Sequence, residues 1–132
     1  MKKKHYISIV FFIALSTFSC SDLLDSAIKC AIKSVELEGK VLRVATKGKN
    51  YYETITAGVN NDPNDEDYDY LFTVNGKIPD GIQFSSEGNK FILNGTAPET
   101  GNFPFELAVS VTFGDDITCS SSARKTYTLV VK

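Results

Sequence analysis

From Phe103 onward the chain alternates without a break. Phe103, Phe105, Leu107, Val109, Val111 and Phe113 fall on one side, and Pro104, Glu106, Ala108, Ser110 and Thr112 on the other. That period of two belongs to a β-strand with one buried and one wet face. A helix would scatter the same apolar residues around its circumference. A strand this apolar on one side needs a second layer to cover it. The closing run over 124–132 alternates too, with Tyr127, Leu129 and Val131 inward, and is expected to pair with it.

The remaining chain supplies short strand candidates between turn residues. Strands are expected over 34–37, 51–59, 70–74, 82–84 and 90–93, with 40–45 extended. Ile28, Cys30 and Ile32 alternate with Lys29, Ala31 and Lys33 and fit one more short strand, although a helical turn over 23–32 accommodates the same residues. Turns are expected at Lys47-Gly48-Lys49-Asn50, Asn75-Gly76, Pro79-Asp80-Gly81, Asn94-Gly95-Thr96-Ala97-Pro98 and Thr100-Gly101-Asn102, and a loop holding Cys119 over 114–122. Regular short strands with Gly/Pro/Asn punctuation and no helical period predict an all-β sandwich. In the strand over 51–59, Tyr51, Ile55, Ala57 and Val59 share one face. Glu53 has the same parity and is expected near that strand's wet end. Pro79 and Gly81 are expected to bend the chain so that Ile82 and Phe84 turn inward. Gly95 marks a positive φ or a close backbone approach.

The first residues read as an address rather than as part of the fold. Met1-Lys2-Lys3-Lys4-His5 is basic, and 6–18 is apolar apart from Ser8, Ser16 and Thr17. A short apolar run behind positive charge is a secretory signal, shorter than a comfortable membrane span. The Ser19-Cys20 junction resembles a bacterial lipoprotein signal, with Thr17 and Phe18 where that pattern carries Leu and a small residue. The resemblance implies cleavage after Ser19, lipidation of Cys20 and a membrane held through acyl chains. Ser21-Asp22-Leu23-Leu24-Asp25 resembles the Bacteroidetes signal for the outer face of the outer membrane, with the periplasmic face as the alternative. Asp25-Ser26-Ala27 resembles the acceptor of Bacteroidetes O-glycosylation, at Ser26. The chain then divides into a signal peptide (1–19), a tether with a short strand (20–33) and one domain (34–132).

Processing changes the charge and the chemistry. The sequence has 14 Lys and Arg against 16 Asp and Glu; losing Lys2, Lys3 and Lys4 leaves 11 against 16, a net charge of −5. An acidic domain without a basic patch argues against nucleic acid as a partner. Cleavage also removes His5, the sole histidine, and with it Ser-His or Cys-His catalysis and ordinary zinc sites. No enzyme is expected. Cys30 and Cys119 are left as a pair, and an oxidising envelope favours their disulfide.

Four segments carry a family resemblance: Tyr70-Leu71-Phe72-Thr73-Val74, Ile78-Pro79-Asp80-Gly81-Ile82-Gln83-Phe84, Ile92-Leu93-Asn94-Gly95-Thr96-Ala97-Pro98 and Gly101-Asn102-Phe103-Pro104-Phe105-Glu106-Leu107. They resemble the bacterial Ig-like family also described as cadherin-like or dystroglycan-type. Ile78 stands for the family's Leu, and Ala97 separates Thr96 from the expected Pro. The likeness covers about 40–132. It implies an immunoglobulin-like antiparallel β-sandwich of about seven strands, used for adhesion, binding or spacing.

Two constellations remain. Asp62, Asp65, Asp67 and Asp69 lie in the loop over 60–69 and offer hard oxygen ligands for calcium, as cadherin-like linkers do; a solvated charged loop fits the same composition. Tyr51, Tyr52, Tyr68 and Tyr70 could form a platform for sugar rings, or serve as core and cross-strand residues. The expected function is a lipid-anchored, non-catalytic envelope module that binds protein or glycan. The alternatives are a spacer without a ligand and a calcium-dependent adhesion module. Ligand contact is expected at the loops over 60–69 and 114–122.

Overall fold

The computed structural model describes residue 28 and residues 30–113 and 119–132. Seven strands carry the fold: β1 (Ser34–Leu37), β2 (Asn50–Asn60), β3 (Tyr70–Gly76), β4 (Ile82–Glu87), β5 (Lys90–Thr96), β6 (Gly101–Phe113) and β7 (Cys119–Val131). They form two antiparallel sheets, ordered β1-β2-β5-β4 and β3-β6-β7. This is the strand order of an immunoglobulin constant-type sandwich. The alternating run is β6. It pairs with β7 from Gly101↔Val131 to Phe113↔Cys119, and with β3 on its other edge.

The core follows the parity of the strands. Phe105, Leu107, Val109, Val111 and Phe113 of β6 share one core with Tyr51, Ile55, Ala57 and Val59 of β2 and with Phe91 and Leu93 of β5, the neighbour of β2 in its sheet. Phe91 touches the rings of both Phe72 and Phe84. Burying such side chains is worth about 1.5–3 kcal/mol each, the driving force for closing the two sheets.

β1 leaves the first sheet after Leu37↔Ala57. The chain then crosses to the other sheet, where Ala45 forms a parallel bridge with Val131. The Ala45 amide donates to Val130 at 2.8 Å, and that of Lys47 to Lys132 at 2.7 Å. So the stretch over 40–45 joins no ladder until Ala45.

Several expectations are corrected. Residues 28 and 30–32 are helical, not a strand, so the 3.6 period took this ambiguous segment. Residues 119–122 are not loop but the start of β7, drawn into the ladder by β6. Asn75-Gly76, Asn94 to Thr96 and Gly101-Asn102 are strand residues rather than turns. Phe84 is 55% exposed although Ile82 is buried. β4 is an edge strand, and the inward side of an edge is only half covered.

The Pro79 turn is closed by the Ile82 amide donating to Pro79 O at 3.1 Å. Gly81 takes the third position with φ +80°, as a type II turn requires. The Thr96 amide then donates to Gly81 O at 2.9 Å, bringing this turn against Gly95 of β5.

Candidate functional site

The two ends of the sandwich differ in chemistry. β1, β3 and β7 begin at one end, where β2 and β6 finish. Here the segment before β1 is fastened three ways. Cys30 and Cys119 form a disulfide with Cα atoms 5.7 Å apart at a sequence separation of 89. Loop-closure entropy for a ring of that size is about 4–5 kcal/mol, and disulfides typically return about 2–4. Lys33 Nζ lies 2.5 Å from Asp62 Oδ2 and donates to the Tyr68 hydroxyl at 2.7 Å, which itself donates to Asp62. The same ammonium stands over the rings of Tyr68 and Phe113. Asn61, at φ 62°, donates its side-chain amide to Ile32 O at 3.0 Å.

This fastening uses Asp62, one of the four residues expected to bind calcium. The hydrogen bond from Lys33, with those from Tyr68 and the Asn64 amide, holds the Asp62 carboxyl down at about 2. Asp65 accepts the Val59 amide at 3.2 Å, and its own carbonyl accepts the Tyr70 hydroxyl at 2.8 Å. Asp65 and Asp67 bound a single 3-10 turn, and Asp69 follows it. Among the described residues no three of His, Cys, Asp and Glu are grouped to hold a metal ion. Asp62, Asp65, Asp67 and Asp69 therefore do not form a ready ligand shell. Asp62 and Asp65 brace the loop instead.

The tyrosines do not form one platform either. Tyr51 is buried on the inner face of β2, and Tyr52 is 51% exposed on the outer face. Tyr68 lies under Lys33, and Tyr70 stacks on Phe72. Cys20 and Ser26 lie outside the described residues.

Sequence reasoning missed a charged cluster at the other end. Glu53, the fourth residue of β2, is buried and not wet. Below Ala57, β2 has lost β1 as its ladder partner, and side chains of the crossing segment take the vacant places. Lys40 donates to Thr54 O at 2.7 Å, and Arg43 Nη2 donates to Tyr52 O. Glu53 is counter-ion to both: Lys40 Nζ is 2.9 Å from Oε1 and Arg43 Nε 2.8 Å from Oε2. Burial pushes the Glu53 carboxyl up, but the Arg43 and Lys40 hydrogen bonds outweigh it and bring it to about 2. The clue was parity, since a carboxylate on an apolar strand face needs cations brought to it.

Beside Glu53, the Tyr51 hydroxyl is buried without a hydrogen-bond partner, and burial, then Glu53, pushes it up to about 12. An unpaired buried hydroxyl costs about 1–3 kcal/mol. Tyr51→Phe is therefore expected to raise the unfolding free energy by about 1 kcal/mol, read from urea titration. A loss of similar size would show that the hydroxyl is satisfied in solution.

The outer side of this cluster is a cleft of about 210 Å³ lined by Arg43, Val44, Thr46, Lys49, Asn50 and Tyr52, among others. Among the described residues no helix is long and apolar enough to cross a membrane. No family model matches the sequence, and no curated protein or solved structure matches it either.

Proposed function

We propose that the chain is a lipid-anchored, non-catalytic envelope module that presents an Ig-like sandwich for binding outside the membrane. The observation that carries this reading is the fastening of residues 30–33 to the sandwich by the disulfide and the Lys33–Asp62 pair. A segment that merely trails from a domain needs no covalent closure. A segment that transmits force or position from an anchor does. Cys20 precedes Cys30 by ten residues, at most about 35 Å of extended chain. The acidic-loop end then faces the membrane, and β7, 13 residues long, sets the opposite end about 40 Å further out. Display on the outer face of the outer membrane is part of the proposal, as is membership of the cadherin-like bacterial Ig family.

The reading is tested by growing cells on an alkyne fatty acid and following the protein through fractionation. Wild type should take up label and pellet with membranes, and Cys20→Ala should lose both. Label retained by Cys20→Ala, or an unlabelled wild-type protein in the soluble fraction, would refute the anchor.

A further inference from the structure

We infer that the cleft beside Arg43 is a binding site for a carboxylated sugar ring, the acidic unit of an anionic polysaccharide. The inference rests on the reading as a binding module and names the ligand class and the end that binds it.

The segment 40–50 carries Lys40, Arg43, Lys47 and Lys49 and no acid, in a sequence where acids outnumber bases. The turn over 47–49 bonds to the residues just past β5 and β7, the Gly48 amide donating to Ala97 O and that of Lys47 to Lys132 O. Lys132 therefore adds to the same end. Asp80 and Glu99 are the exposed acids of the turns at this end, against Arg43, Lys47, Lys49 and Lys132, whereas the loop at the other end gathers Asp62, Asp65, Glu66, Asp67 and Asp69. The domain is thus polarised, and an anion is drawn to the end holding the cleft.

Arg43 is also preorganised. Arg43 is 71% exposed at its side chain yet fixed at its root, with Nε on buried Glu53 and Nη2 on the Tyr52 carbonyl. Nη1 has no partner among the described residues and remains for a ligand. A planar guanidinium already held in place forfeits little entropy when a carboxylate docks on it. Lys40 is shared between Glu53 and Glu38, whose Oε2 lies 3.8 Å from Nζ, so the open positive charge of the cleft comes from the outer side of the Arg43 guanidinium and from Lys49 at the rim.

The shape and lining of the cleft suit a single ring. At about 210 Å³ the cleft lies below the roughly 300 Å³ at which sites for drug-sized ligands begin. It has room for one ring, not a folded ligand. The half-exposed ring of Tyr52 offers an apolar face for a sugar's C–H face. Asn50 and Thr46, both exposed in the lining, offer donors and acceptors for hydroxyl groups. An acidic peptide would use the cations, but the adjoining aromatic face and hydroxyl-matching groups suit a ring better.

The test titrates the full chain in detergent micelles with trigalacturonate, with neutral galactotriose and hexaglutamate as comparisons, following amide NMR shifts. Trigalacturonate should saturate shifts at Thr46, Lys49, Asn50 and Tyr52, at least tenfold tighter than galactotriose, and weaken with salt. Tyr52→Ala and Lys49→Glu, both at exposed positions, should each cut affinity about tenfold or more while leaving the melting temperature unchanged. No saturable shift at these residues, equal binding of galactotriose, or tighter binding of hexaglutamate would overturn the inference. Anchoring through Cys20 is measured separately, so its failure and the failure of this site are distinguishable.

Discussion

Gly95→Ala should cost about 4 kcal/mol or more of unfolding free energy, among the largest effects a single methyl can have. A Cβ on Gly95 would stand 2.0 Å from the Gly81 carbonyl oxygen, and one on Gly81 would stand 2.1 Å from the Thr96 carbonyl oxygen. These are backbone atoms tied by the Thr96–Gly81 hydrogen bond, so neither can swing aside. Gly95 also has φ +142°, where an L side chain is strained whatever the space. Relief requires β4 to part from β5 at Ile82↔Gly95, which uncovers Ile82. Gly88 supplies the control. It has φ +53° with nothing within 4 Å of its would-be Cβ, so Gly88→Ala carries only the left-handed penalty of about 1–2 kcal/mol. Equal losses in the two variants by urea titration would show that conformation alone, and not the close approach, is responsible.

Glu53→Gln should cost about 3 kcal/mol at neutral pH. Breaking a buried ion pair from one side costs about 3–5 kcal/mol because a charge is left without its partner. Here Arg43 is 71% exposed and Lys40 25%, so both can rehydrate, which favours the lower figure. Linkage through the same contacts gives a similar size. The Glu53 carboxyl falls from an ordinary 4.5 to about 2 on folding, worth about 3 kcal/mol. The sign follows from the depression: the stabilisation is complete above 4.5, fades as pH falls from there towards 2, and is gone below it. Asp62, also held at about 2, titrates in the same window. Glu53→Gln should therefore flatten the acid limb of a stability–pH curve without removing it. An acid limb identical to wild type would contradict the role given to Glu53.

Parity made β2, β6 and the closing half of β7 legible, since each has one buried face and a turn or charge at its limits. It failed where burial and parity separate. Phe84 has the inward parity but sits on an edge strand, so half its ring meets water. Ser120, Ser121 and Ser122 have the composition of a loop. They are strand because β6 extends alongside them, a pairing decided across the chain rather than within it. Residue 28 and residues 30–32 satisfied two periods equally, and the helical one prevailed.

The site was harder to read for a related reason. Acidic and aromatic residues close in sequence drew attention to the loop over 60–69, where proximity in the chain became internal bracing. The charged cluster draws Lys40 and Arg43 from a segment with no ladder of its own and Glu53 from β2. Only the crossing between sheets brings them together. The same crossing makes the cleft and sets it at the end away from the Cys30–Cys119 disulfide.

The central claim is that this end points outward from the cell. Intact cells treated briefly with a membrane-impermeant amine-reactive ester report it through the native lysines, read by mass spectrometry against the same chain labelled in detergent. Relative to that reference, Lys47 and Lys49 should label well ahead of Lys33, which lies at the tether and is paired with Asp62. Labelling of Lys33 as fast as Lys47 and Lys49, or no labelling until the cells are lysed, would contradict it.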